Sequence, residues 1–300
     1  MTDPGKTPDE VAAVAPESEP FETPEPPSEV HEADEAHLER EREIANDAAV
    51  DRELRRLSRR GFVTAGVAAV AGVAGWSWLR GRPRTDGLAW PFRRMLQLNE
   101  KVAEAYFRPS RMSPSFRPDQ ITAARINGGL GLSASYDNAD WRLRIEGAAS
   151  RAVLTLDEIR SFPRREMITE FRCIEGWSYI VKWTGARLAD VMAKYPPPTR
   201  DGSAPDLERP DRLVRYVSME TPDRGYYVGL DMQSALHPQT LLAYEIDGQP
   251  LSWQHGAPLR LAIPVKYGVK NIKRVGTIRY TDVRPADYWA ERGYDWYAGH

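Results

Sequence analysis

Residues 171–183 read FRCIEGWSYIVKW and contain the only cysteine of the chain. A β-prone run leads into Cys173, and a Trp-Ser-Tyr cluster follows it. Residue chemistry leaves three readings of this sulfur open. It is a buried inert thiol, the usual fate of a lone cysteine; or a nucleophile served by a histidine brought near in space, His237 or His255; or a thiolate ligand to a soft metal. A single cysteine excludes an intramolecular disulfide, a Cys-x-x-Cys-His haem attachment and a cysteine-rich iron–sulfur or zinc site.

Outward from this stretch the hydrophobic period is two. WRLRIEG from Trp141, EMITEFRC, VRYVSMET, YYVGLDM, LLAYEIDG, PLRLAIPV and VGTIRYTDV each read as strands enriched in β-branched and aromatic residues. Thr155 and Glu158 have capping-box spacing and predict a short helix start. ARLADVMAKY places Leu188, Val191, Met192 and Tyr195 at helical spacing before the stop at Pro196–Pro198. Asp247-Gly248 marks a tight turn between strands. Upstream, PFRRMLQLNEKVAEAYF predicts a helix packed on the outside of the domain through Phe92, Met95, Leu96, Val102 and Phe107. The expected class is α+β, with antiparallel or mixed sheets and peripheral helices. No repeat, dinucleotide fingerprint or phosphate loop appears.

The formal charge of −2 hides an asymmetry. Residues 1–53 hold seventeen Asp and Glu against four Lys and Arg, a net of −13, so the remainder carries +11. Residues 1–57 are proline-rich and poor in aromatics, which predicts a disordered acidic tail with a helix considered from about residue 30. Residues 58–80 come next. Arg59 and Arg60 precede nineteen uncharged residues, Gly61 to Leu79. The run suits a buried core helix or a membrane span by length. The paired arginines before Gly-Phe-Val resemble a twin-arginine export signal, which serves proteins exported already folded. The expectation is passage through the twin-arginine export machinery to the periplasm, or retention in the membrane by residues 61–79. Residues 88–300 form the remaining domain.

HGAPLRLAIPVKYGVKNIKRVG, residues 255–276, is cationic, with Arg260, Lys266, Lys270, Lys273 and Arg274 interleaved with apolar and turn residues. A solvated basic face is the plain reading, whereas spaced donors of this kind suit an anion held at several points.

Taken in order, FRCIEGWSYIVKWTGARLADVM, RYVSMET, PQTLLAYEIDGQPL and HGAPLRLAIPVKYGVKNIK resemble the molybdopterin-binding domain of the sulfite oxidase family over Trp141 to Val283. They are nearest to the periplasmic protein-methionine-sulfoxide reductase catalytic subunits and their relatives. The resemblance implies a sulfite-oxidase fold and a molybdenum-molybdopterin cofactor, with Cys173 as the thiolate on molybdenum. It further implies that Thr221, Arg260, Asn271, Ile272 and Lys273 bind the cofactor, that His255 stands where that branch often has Asn, and that Asn127 in RINGGLG matches an early cofactor-binding Asn. Sulfite-oxidising members place arginines just after the ligand cysteine, whereas this chain has Ile-Glu-Gly-Trp-Ser. That departure argues for a neutral sulfoxide-type substrate over a sulfite dianion, with a sulfite dehydrogenase as the alternative within the family. A cofactor-free cysteine hydrolase and a binding module are the alternatives outside it. Glu175 reads equally as a hydrogen-bond partner or a catalytic group, Trp177 and Trp183 as packing residues, and Tyr267 as a pocket residue. The family implies electron supply from a membrane haem subunit or a soluble cytochrome, a monomeric catalytic subunit, and no nucleic-acid partner.

Overall fold

The computed structural model describes residues 29–85 and 87–300, with side chains from residue 37 onward. The expectation for the first 28 residues lies outside the described residues. The chain divides into two units, one ending at Gly75 and one running from Trp76 to His300.

The first unit is helical. Helix α1 (Glu29–Arg80) takes in the stretch from about 30 to 57, where the sequence offered a helix within the acidic tail, and continues through the apolar run. Its polar half is rich in Ala, Glu and Arg, good helix formers. It also carries Asp51–Arg55 and Glu53–Arg56 pairs at 3.6 and 3.7 Å, one helical turn apart. The helix includes an 18-residue window of mean hydropathy 1.6, none of it buried, which by length and composition alone can cross a membrane.

The second unit holds the expected α+β domain. A two-residue hairpin, β1 (Arg84–Thr85) and β2 (Leu88–Ala89), leads into α2 (Trp90–Tyr106). Then come β3 (Leu143–Glu146), β4 (Ala152–Leu154), α3 (Leu156–Arg160), β5 (Arg164–Arg172), β6 (Ser178–Arg187), α4 (Leu188–Lys194), β7 (Tyr216–Glu220) and β8 (Tyr227–Asp231). The last elements are α5 (Met232–Ala235), β9 (Leu241–Ile246), β10 (Gln249–Pro250), β11 (Arg260–Ala262) and β12 (Thr277–Thr281). One sheet runs β10-β9-β6-β5, with β11 also on β9; the other runs β4-β3-β12-β7-β8. Every pair is antiparallel except β3 with β12, so the second sheet is mixed.

All seven predicted strands form, and Thr155 and Glu158 build the predicted capping box. Asp247 and Gly248 turn with φ of 51° and 81° between β9 and β10. The sequence reading missed β6, whose ten residues fall across the join between the cysteine stretch and the α4 pattern. The main core lies between the sheets, joining Ile145, Val217 and Met219 to Ala186, Leu242 and Leu261. A second core covers the other face of the β5–β6–β9 sheet with Tyr179, Val181, Trp183 and Ala243. β6 and β9 therefore pack against both cores, and β6 carries the hairpin it forms with β5.

α2 does not pack as predicted. Phe92, Met95 and Val102 are exposed, and only Leu96 and Phe107 are part-buried. The residues it buries are Arg93 and Glu100. Arg93 donates to the carbonyls of Ala290 (2.8 Å) and Tyr294 (3.3 Å), and Glu100 pairs with Arg284 at 2.8 Å. Polar contacts at these two positions outweigh the apolar periodicity in choosing which face turns inward.

Candidate functional site

Cys173 sits at the tip of the β5–β6 hairpin, one residue beyond the last strand pair, Arg172 with Ser178. The five-residue tip is closed by its own backbone: the Cys173 amide donates to the Trp177 carbonyl (2.9 Å) and the Gly176 amide to the Cys173 carbonyl (3.1 Å). Gly176 has φ +90°, a conformation other residues rarely adopt. Phe171, Trp177 and Tyr179 stack on one another beneath the tip, with centroids 5.0 to 6.0 Å apart. Trp177 and Trp183 are packing residues, as the sequence indicated, and the guanidinium of Arg125 lies 4.7 Å over the Trp177 ring.

Burial pushes the Cys173 thiol above its ordinary pKa, and the nearby Glu175 carboxylate adds to this; hydrogen bonds from the Glu175 and Ile174 amides pull the other way. Among the described residues no histidine hydrogen-bonds to the sulfur. His237 is fully buried elsewhere, its ring accepting from the Gln239 amide (3.2 Å) and meeting the Arg111 carbonyl (3.2 Å). His255 does not line the same cleft. The cysteine–histidine nucleophile therefore lacks its geometry. Nor does any group of three His, Cys, Asp or Glu side chains among the described residues suit a metal ion. A metal at Cys173 needs its other ligands from a cofactor.

Cys173 opens into a cleft shared with Asn127, Glu175, Asn271 and Lys273. Tyr226, Trp289 and Tyr294 make an aromatic wall. Glu175 bridges the mouth, accepting from the Trp177 indole at 2.7 Å and from the Asn127 amide at 3.4 Å. Lys273 reaches across to the carbonyls of Asn127 (2.6 Å) and Gly128 (3.1 Å). The Asn271 amide holds its own loop, with Oδ1 accepting from the Ile263 amide (2.8 Å) and Nδ2 donating to the Tyr267 carbonyl (3.1 Å).

The other expected cofactor residues divide. Arg260, 1% exposed, lies behind Asn271 and donates to the carbonyls of Asn271 (3.1 Å) and His255 (3.2 Å), with its guanidinium 4.6 Å over Trp183. The Ile272 side chain points into the core, and its carbonyl accepts from the Leu261 amide at 2.9 Å, so only its backbone faces the loop. Thr221 is buried, and its hydroxyl is committed to Asp223 (2.6 Å) and to the Tyr226 amide (3.1 Å) in a turn of its own. Tyr267 stacks edge-on with His300 (4.8 Å) instead of lining the cleft; its neighbours Gly268 and Val269 line it. The sequence reading missed Tyr226, Trp289 and Tyr294. Only the aromatic content of residues 288–297 signalled the latter pair.

The cationic loop splits in two. Lys266 and Lys270 are buried against carboxylates, Asp231 (3.3 Å) and Asp287 (2.5 Å). Arg260, Lys273 and Arg274 make no ion pair among the described residues, although Arg260 and Arg274 are each 1% exposed. Arg274 donates to the carbonyls of Ala257 (2.8 Å) and Ser133 (3.0 Å), and its Nη2 is buried with no partner. His255 Nδ1 is likewise buried and unpartnered. Burial, then Arg260 and Lys273, hold the His255 ring down to about 4; burial and Arg260 bring Lys273 down to about 8. A side chain at Gly256, φ +98°, would meet Lys273 Cβ at 2.7 Å, so the two loops close tightly there. Buried charge with hydrogen bonds but no counter-charge is costly. This arrangement fits an anionic group, and a soft sulfur beside it fits a metal carried on that group.

The family model described as oxidoreductase molybdopterin binding domain matches residues 131–289. The chain is 32% identical over 209 residues to a putative protein-methionine-sulfoxide reductase subunit, YedZ1, of Azospira oryzae, covering 68% of this chain and 74% of that protein. It is 38% identical over 155 residues to the protein-methionine-sulfoxide reductase catalytic subunit MsrP of Xanthomonas campestris, covering 50% of this chain and 47% of the relative. The figures for MsrP of Campylobacter jejuni are 34% over 182 residues, 56% and 59%. The chain thus spans about half to three-fifths of the length of these MsrP relatives. Among solved structures, the sulfane dehydrogenase SoxCD of Paracoccus pantotrophus matches with TM-score 0.43 and 18% identity, over 60% of this chain and 50% of that one. By its sequence, this chain belongs to the oxidoreductase molybdopterin-binding domain family, the sulfite oxidase family of molybdopterin oxidoreductases.

Proposed function

We propose that the chain is the catalytic subunit of an exported molybdenum-cofactor oxidoreductase that reduces sulfoxides, methionine sulfoxide in particular. The carrying observation is the pairing of one sulfur at a rigid hairpin tip with Arg260, Lys273 and Arg274, buried or part-buried cations that make no ion pair. In this reading Cys173 is the protein ligand to molybdenum. Lys273 faces the anionic part of the cofactor with Arg260 and His255 behind it, Asn127 and Asn271 hold the loops on either side, and Ile272 and Thr221 support those loops. A molybdenum-pyranopterin, when bound, supplies two-electron oxygen-atom transfer.

The chain's own groups set the substrate. Glu175 places a carboxylate at the mouth, stabilised by Trp177 and Asn127, where a sulfite dianion would be repelled and a neutral S=O group would not. Tyr226, Trp289 and Tyr294 offer an apolar wall for a thioether side chain. The names of the relatives, methionine-sulfoxide reductase subunits, point the same way. The overall reaction takes two electrons and two protons and yields thioether and water. Those electrons come from a separate carrier, a membrane haem subunit or a soluble cytochrome. Residues 58–80 carry the chain to the outer face of the membrane, as a twin-arginine signal or as a retained anchor, and residues 88–300 form the catalytic domain.

The test is elemental molybdenum and released pterin in protein from a cofactor-competent host, with Cys173→Ser alongside. About one molybdenum per parent chain, and a changed metal spectrum in the variant, is the expected result. Metal-free and pterin-free parent protein, from a host shown to load a control enzyme, refutes the reading.

A further inference from the structure

Helix α2 is amphipathic the wrong way round. At 3.6 residues per turn, Phe92, Met95, Leu98, Val102 and Tyr106 share one stripe. These five side chains are 52 to 62% exposed. The opposite face holds Arg93 and Glu100, the two buried residues, which are tied to the Ala290 carbonyl and to Arg284. Five large apolar side chains on one exposed helix face are more than scattered surface hydrophobes.

The chain itself says what covers them. The apolar run of α1 ends at Leu79, with Trp76 and Trp78 in its last turn, the residue type enriched where a span meets headgroups. From Arg80 to Trp90 there are ten residues, at most about 35 Å fully extended. The hairpin of β1 and β2 uses part of that length. A domain so tethered keeps α2 within reach of the surface that α1 enters. Arg94 and Lys101, both exposed and two turns apart, run along one edge of the stripe, where their stems can lie on lipid and their charges reach phosphates.

We propose that α2 lies in the headgroup–acyl boundary of the membrane crossed by α1, apolar stripe inward, as a second contact that orients the catalytic domain on the bilayer. This rests on α1 being a retained span, and the experiment separates the two claims. The full chain is reconstituted in phosphatidylcholine–phosphatidylglycerol vesicles with an environment-sensitive fluorophore on Leu98→Cys, on Val67→Cys within the apolar run of α1, or on Val153→Cys at an exposed position of β4. Native Cys173, buried, is corrected for with mock-labelled parent chain. Lipid carrying a nitroxide high on the acyl chain is the quencher.

The expected result is about twofold or greater quenching at Leu98 and at Val67, with none at Val153. Adding Val102→Glu and Tyr106→Glu, both outward-facing, should remove at least about half of the quenching at Leu98 and leave Val67 unchanged. Quenching at Val67 without quenching at Leu98 overturns the proposal while leaving the span intact. Quenching at neither overturns both. Energy transfer between labelled copies that rises with protein-to-lipid ratio, without quenching at Leu98, overturns it in favour of a second copy of the chain on this face.

Discussion

The sharpest prediction concerns Lys273. Its ammonium is held down to about 8 by burial and by Arg260, and it has no carboxylate partner among the described residues. An anion seated beside it and Arg260 would restore the amine towards its ordinary 10.5. That return is worth ~3 kcal/mol at 1.36 per unit, and solvent screening of a part-exposed amine leaves about 1–2 kcal/mol. Binding of an anion should therefore take up a proton near pH 8, and affinity should fall as pH rises through 8 by about 10-fold. Sulfate is the suitable probe, because it carries two charges throughout this range and exchanges no proton of its own. The assay is sulfate-dependent thermal stabilisation of cofactor-free protein at matched ionic strength, from pH 6.5 to 10, in the parent and in Lys273→Gln. The parent should show the fall with its midpoint near 8, and the variant a flat profile of weaker affinity. The sign for folding follows as well: with a folded pKa below the unfolded one, the unfolded chain binds more protons between 8 and 10.5. The sulfate-free parent therefore gains stability as pH rises through that window, and the variant loses this gain. An identical sulfate profile in both proteins refutes the assignment of Lys273 to an anion site.

Other outcomes follow from the same geometry. Alkylation of Cys173 in cofactor-free protein should be slow at neutral pH and accelerate only at alkaline pH, since burial disfavours the thiolate; fast alkylation at pH 7 would contradict the burial argument. Glu175→Gln should raise kcat/KM for sulfite relative to a sulfoxide by about 10-fold, and an unchanged ratio of the two specificity constants would remove Glu175 from substrate selection. Lys270→Met leaves Asp287 buried without its partner and should cost about 3–5 kcal/mol, or roughly 10 °C in Tm, whereas Arg117→Met, at a solvent-exposed pair, should leave Tm essentially unchanged.

The strand pattern was legible because both sheets have inward-facing rows, so the period of two survives in WRLRIEG, YYVGLDM and VGTIRYTDV. β6 was not legible. Its alternation holds at Tyr179, Val181 and Trp183, but Trp183, Thr184, Gly185 and Ala186 are buried in succession and erase it over the second half. Cys173, Asn127, Asn271 and Lys273 were all named from the sequence and do meet in one cleft. The aromatic wall was not, because Tyr226 and Trp289 are far apart in the chain and no spacing rule links them. α2 shows the opposite failure: its apolar spacing is real, but periodicity says only that a face will be covered, not by what.

The basic loop carries the lesson furthest. Five cations within fifteen positions read as one feature in the sequence, yet the structure assigns them to two tasks. Lys266 and Lys270 are matched by Asp231 and Asp287, and their cost is met inside the protein. Arg260 and Arg274, equally buried, form no ion pair among the described residues; they donate to carbonyls and lie over the rings of Trp183 and Tyr136, and Lys273 donates to carbonyls. Carbonyls satisfy the donors, Arg274 Nη2 excepted, but leave the net charge, so these groups raise the free energy of the folded chain until an anion arrives. Under the proposed function that makes cofactor loading part of folding: a ligand that binds only the native state adds RT ln(1 + [L]/Kd), about 2.7 kcal/mol at a hundredfold excess over Kd. A chain built in this way gains from being loaded before it leaves the compartment where the cofactor is made. Under that proposal the twin arginines ahead of the apolar run and the arginines behind the cleft that make no ion pair would serve one requirement.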